Sequence, residues 1–366
     1  MSLNRTESYL HNTVSEFWIT AHRLLIFCLA RVPPGIPQSR LPIRTCCMKM
    51  PSARGPVSAA VIDALARSPY DFTLDPGDVG HEDLHLTLFV LYELHYRGWD
   101  GVDDQWEWHP GLLGLRARLE ARFEADLREL VGDPAPADDV PRTLVALTSD
   151  NSGPSLSGYL RGRETLEQFK EFATHRSIYH LREADPHTFA IPRLGGKAKA
   201  ALIEIQIDEY GGGVADRMHQ EMFRSTMTAL GLDTEYGAYV EVVPAATLAN
   251  NNLMSLFGLH RRWRGALLGH LAAYEMTSTG PNRAYGNGLR RLGGDADGTR
   301  FYDEHVEADA VHEQIAAYDM CGSFCQAEPE SAGDVLFGAR CVLKLEEKWA
   351  EYILERWAAG ESSLRG

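Results

Sequence analysis

From residue 57 onward the apolar side chains recur three and four positions apart, and β-branched runs with strict alternation are nearly absent. A repeat near 3.6 paints one face of an α-helix, whereas a repeat of two paints one face of a strand, so this patterning restricts the chain to an all-α fold. Helical patterns cover 57–67, 82–96 and 110–130, then 160–183, 196–210, 214–231, 244–259, 263–277, 300–319 and 334–358. Pro110 suits a first helical turn, and Pro186, Pro192, Pro244, Pro281 and Pro329 punctuate the later patterns. Residues 239–243 are the nearest approach to a strand. The segment 132–154 is rich in Pro, Asp, Ser and Gly and reads as a linker. The expected organisation is an N-terminal helical region over 57–131 packed on a compact bundle of about seven helices over 155–358.

The formal net charge of −15 over 366 residues argues against a nucleic-acid-binding surface. The charge is uneven. Residues 1–56 carry seven basic and two acidic residues, a net of +5 that leaves −20 for the rest. Their one apolar run, 24–30, is far too short to span a bilayer. Residues 1–56 read as a disordered basic segment, and the plain explanation is an over-extended start, with translation beginning near Met48 or Met50. Residues 1–50 are therefore expected to be dispensable. The six cysteines form neither a paired zinc pattern nor a disulfide framework, which makes a reducing cytoplasm the default location.

Within the helical pattern at 300–319, His305, Asp309 and His312 stand at i, i+4 and i+7. At 3.6 residues per turn they share about 60° of arc. Imidazole and carboxylate together are donors that divalent iron, manganese or zinc accept. A solvated face is the competing reading, but Glu304, Glu307 and Glu313 lie largely off this stripe. Further donors stand upstream. Glu275 is a carboxylate in a helix of small and apolar residues, where burial demands a partner. Glu209 and His219 flank three glycines, Gly211–Gly213, which disfavour a regular helix and invite a break that brings the two side chains together. Glu82-x-x-His85 is an isolated E-x-x-H pair. Arg261, Arg262 and Arg264 suit either an anion or salt bridges between helices.

The order Glu209, His219, Glu275, then H-x-x-x-D-x-x-H at 305–312, resembles the haem-oxygenase-like diiron oxidases and oxygenases. The resemblance covers about 155–325. It implies a haem-oxygenase-like bundle holding two iron ions, with dioxygen as co-substrate. It further implies that His219, Glu275 and His305 hold one iron and that Glu209, Asp309 and His312 hold the other. Glu275 would be the bridge and Glu183 an accessory, substrate-gating carboxylate, with Glu204 competing with Glu209 and Asp185 with Glu183 for these places. Known reactions of such enzymes are N-oxygenation, oxidative decarboxylation and C–C cleavage of amino-acid or fatty-acid derivatives. The expected partners are a small-molecule substrate and an external electron donor. A homodimer is compatible with this reading; nucleic acid and membrane are not expected. Three alternatives remain: a metal-free, thiaminase-like enzyme on the same fold, a cofactor-free oxidase of the pyrroloquinoline quinone synthase type, and a non-enzymatic helical scaffold.

Overall fold

Among the described residues, fifteen α-helices arise where the apolar periodicity, the caps and the prolines agree. They are α1 (Pro56–Leu65), α2 (His81–Glu93), α3 (Pro110–Val131), α4 (Val140–Thr148), α5 (Leu156–Gly162), α6 (Leu166–His180), α7 (Asp185–Thr188) and α8 (Gly196–Glu209). Then follow α9 (His219–Ala229), α10 (Ala245–Leu259), α11 (Arg264–Thr277), α12 (Thr279–Arg291), α13 (Ala296–Gln314), α14 (Ser323–Ala327) and α15 (Ala332–Ala358). The computed structural model describes residues 48–149 and 153–366, except for the side chains of Asp309 and Ala310. The reading of residues 1–47 as disordered falls outside the described residues.

The described residues belong to one compact unit. Its largest helix–helix contact is between α11 and α15. Glycine makes that contact close. A Cβ on Gly269 would stand 1.8 Å from the Val335 carbonyl oxygen, and one on Gly338 would stand 1.9 Å from that of Ala266. The two backbones therefore touch where any larger residue would hold them apart. Around this pair, α13 packs on α9 and α12, while α8 packs on the turn that follows α13. The N-terminal helices close one side: α2 lies against α10, and α3 lies against α15.

Three sequence expectations need correction. The segment 132–154 is not a plain linker, because α4 forms within it, its first turn capped by Asp139, whose side chain accepts from the Arg142 amide. Pro281 does not end a helix; it sits in the first turn of α12, where its missing N–H leaves no orphan. Residues 48–55 are not disordered. Met48 is buried and bridges Trp99, and the Arg54 guanidinium meets Glu82 at 2.9 Å and the Val240 carbonyl at 2.7 Å. A chain begun at Met50 is therefore expected to be less stable than one begun at Met48, by the ~1.5–3 kcal/mol that burying a methionine contributes. Equal urea midpoints for the two would remove this role for Met48. Among the described residues that isolated bridge is the only β feature, and 239–243 forms turns.

Candidate metal centre

Four breaks in helical regularity bring the candidate donors together. The Thr165–Gln168 capping box starts α6, which ends at His180; Pro186 then starts α7, and Glu183 lies in the turn between them. Helix α8 ends at Glu209, and Gly211, Gly212 and Gly213 all take positive φ, 61°, 61° and 80°. L-residues rarely adopt that region. A Cβ on Gly211 would also stand 2.4 Å from the Arg217 carbonyl carbon. The chain doubles back there, and α9 opens on His219. Helix α13, capped by Asp295, carries His305 and His312 and runs directly into a π-helical stretch, Ile315–Gly322. Such widened turns occur often at functional sites. Glu275 comes from the last turn of α11.

Glu183, Glu209, His219, Glu275, His305 and His312 are all buried. Their donor atoms form two groups, each within 4.8 Å: Glu183 with His219 and His305, and Glu209 with Glu275 and His312. This grouping differs from the arrangement that the resemblance implies. Glu275 stands with His312, 3.2 Å from its Nδ1, and not with His219 and His305. Glu183 takes that place, 3.6 Å from His305 Nε2. Glu209, and not Glu275, reaches across, with its Oε2 3.1 Å from His219 Nδ1. Of the competitors, Glu204 is exposed and Asp185 accepts from the Tyr210 hydroxyl at 2.8 Å. Asp309 lies on α13 between the two histidines, and its side chain is outside the described ones.

The hydrogen bonding indicates what the groups are built to hold. His305 Nδ1 lies 2.8 Å from the Phe301 carbonyl, so it carries the proton and Nε2 offers its lone pair to the site. His180 Nδ1 lies 2.8 Å from Glu183 Oε1 and fixes that carboxylate. Glu183 Oε2, Glu209 Oε2 and His219 Nδ1 are buried without hydrogen-bond partners, although the last two stand 3.1 Å apart. Buried polar atoms left unpaired are costly. Atoms that approach one another without hydrogen-bond alignment suit donors aimed at a common ion. Three carboxylates and three imidazoles form a mixed set that fits iron better than magnesium or calcium. The donors present therefore fit the two irons that the resemblance implies.

Electrostatics agree. Burial pulls the His219 and His312 imidazoles down, but Glu209 beside the first, and Glu275 with Asp208 beside the second, outweigh it. Both are raised, His312 to about 9. The metal-free pocket thus attracts positive charge, as a proton or as a cation. Because the folded value for His312 exceeds the unfolded ~6.5, its stabilising effect is full below pH 6.5 and is lost as pH rises through 9. In metal-free protein, stability should fall across that window, and His312→Gln should flatten the slope. Metal uptake displaces the same proton, so affinity should tighten toward pH 9. A pH-independent metal affinity between pH 6.5 and 9 would contradict this.

A cavity of about 880 Å³ opens onto the donors. Glu183, Glu209, Glu275 and His305 are among the residues that line it, and Tyr179, Tyr274, Tyr285 and Trp349 supply aromatic wall. Its size is that of a small-molecule site. The other sequence motifs serve structure. Glu82 accepts from the Ala245 amide at 2.8 Å, and His85 packs beside Asn252. Arg262 and Arg264 pair with Glu124 and Glu328.

Comparison with known proteins follows the same outline. Residues 170–347, which contain every candidate donor, match the family model described as iron-containing redox enzyme. Over 136 residues the chain is 28% identical to a nitrosourea synthase from Streptomyces achromogenes subsp. streptozoticus. That match covers 37% of this chain and 29% of the relative, so it spans less than a third of the synthase's length. Two structures of a CADD-like protein of unknown function from Nostoc punctiforme PCC 73102 are similar, each with a TM-score of 0.43. Their identities are 17% and 16%, over 66% and 64% of this chain and 97% of theirs.

Proposed function

Because residues 170–347 belong to the iron-containing redox enzyme family, we propose that this all-α, haem-oxygenase-like protein is a non-haem diiron oxidase or oxygenase. It would use dioxygen to oxidise a small molecule. The observation that carries the proposal is the pair of buried donor groups, linked by the approach of Glu209 to His219 and opening into one cavity.

Glu183, His219 and His305 would hold one iron, and Glu209, Glu275 and His312 the other, with Glu209 placed to touch both. Asp309 completes the second set in the resemblance. Iron held by these residues would supply the redox chemistry that dioxygen activation needs. The protein's own part is positioning and exclusion of water. Phe301 sets the His305 tautomer, and His180 fixes Glu183. Tyr179 and Tyr274, whose rings stack at 5.3 Å, form part of the cavity wall against which a planar substrate would lie. Of the three reaction types, oxidation at nitrogen is the one favoured by the likeness to a nitrosourea synthase. An external electron donor belongs to the proposal wherever the substrate does not supply all the electrons. No described helix is long and apolar enough to cross a membrane.

Dioxygen uptake by iron-loaded protein, with a panel of small amines, tests the reading. Uptake that requires both iron and an amine is expected, and His305→Ala should lack it. Substrate turnover that survives complete removal of iron would favour the metal-free alternative.

A further inference from the structure

His312 lies between two carboxylates. Its Nδ1 is 3.2 Å from Glu275 Oε2, inside the donor group, and its Nε2 is 3.0 Å from Asp208 Oδ2, outside it. Asp208 differs in exposure from the six residues of the two donor groups: its side chain is 58% exposed, that of Glu209 7%. The two are consecutive residues in the last turn of α8 and so point about 100° apart. One enters the site, and the other reaches round to the far nitrogen of His312. Directly after them the chain turns away through the three glycines, so no further turn of α8 covers Asp208.

A neutral imidazole carries one proton. Glu275, which shares that donor group with Glu209, stands on the Nδ1 side, so an ion held there would take the Nδ1 lone pair and leave the proton on Nε2. Nε2–H then donates to Asp208. A histidine that ligates through one nitrogen is commonly held through the other by a carboxylate, which fixes the ring and strengthens it as a donor.

We propose that Asp208 is the positioning residue of the metal centre: it is not a ligand, but it orients His312 from the solvent side and thereby sets the affinity of the second iron site. The proposal rests on the diiron reading and adds to it a residue that the donor pattern does not contain. It also makes the two sites unequal, because only the second is held by a carboxylate in contact with solvent.

Anaerobic titration with Co(II), followed by its visible ligand-field absorbance, separates the sites and needs no turnover. Wild type should take up two ions. Asp208→Ala should weaken one of them by about 10–100-fold and leave the other unchanged. Asp208→Asn, which keeps an acceptor oxygen, should restore most of the lost affinity. Two sites in Asp208→Ala with wild-type affinities would overturn the proposal while the diiron reading stands. Equal weakening of both sites, with a lowered melting temperature of the metal-free variant, would also overturn it, since Asp208 would then serve only stability. A wild type that binds no Co(II) would overturn the diiron reading, and this proposal with it.

Discussion

Replacing Glu209 by alanine should lower bound iron from two ions per chain to one or none, and dioxygen-dependent turnover to background. His305→Ala should do the same. Glu209 belongs to the second donor group and stands 3.1 Å from His219 of the first, so its loss opens both. His305 offers Nε2 to the first group. The fold should survive. Deleting one buried charged donor removes a group whose desolvation is unfavourable in metal-free protein, so the variant's melting temperature should hold or rise. His270→Ala is the control. His270 shares α11 with Glu275 but faces His187, with 3.1 Å between His270 Nδ1 and His187 Nε2. That variant should keep both irons and lose stability, by roughly 1–3 kcal/mol for the unsatisfied partner. Iron lost from the His270 variant but kept in the His305 variant would mean that the wrong histidines have been assigned.

Glu93→Ala should give the largest loss of stability, about 3–5 kcal/mol by urea unfolding. Glu93, in the last turn of α2, is wholly buried and accepts from Arg182 at 3.1 Å and from the Tyr236 hydroxyl at 3.0 Å. Arg182 is also buried, between the rings of Phe89 and Tyr96. Without Glu93 its charge has no partner in a dry interior. Burial pushes the Glu93 carboxyl up to about 7, against the pull of Arg182, so the measurement belongs at pH 8, where the pair is charged. Arg182 directly precedes Glu183, so iron affinity in the first group should fall in parallel. A loss below about 1 kcal/mol would show that the interior accommodates the lone guanidinium, contrary to this expectation.

How much of this was legible in the sequence depended on whether the signal was local. The long amphipathic helices were, since each needs only its own periodicity. The helix stripe that carries His305 and His312 was legible for the same reason, and the glycine run announced the turn between Glu209 and His219. Helix α12 was missed because Pro281 reads as a breaker unless its place in the first turn is known. Helix α4 was missed because its flanks are rich in turn formers. Met48 and Arg54 looked disordered because their partners, Trp99, Glu82 and Val240, are distant in sequence. At the site, residue type and order pointed to the donors but not to their grouping. Whether Glu183 or Glu275 faces His305 depends on how the turn before Pro186 meets the end of α11. Asp208 gave no signal, since an acidic residue at a helix end is unremarkable until His312 is seen beside it.

The most direct measurement is the number of ferrous ions bound per chain in an anaerobic titration of the wild-type protein. The two donor groups predict two, and Glu209→Ala should lower that number. A chain that binds none, or that binds one ion with a stoichiometry unaffected by Glu209→Ala, would contradict the diiron centre.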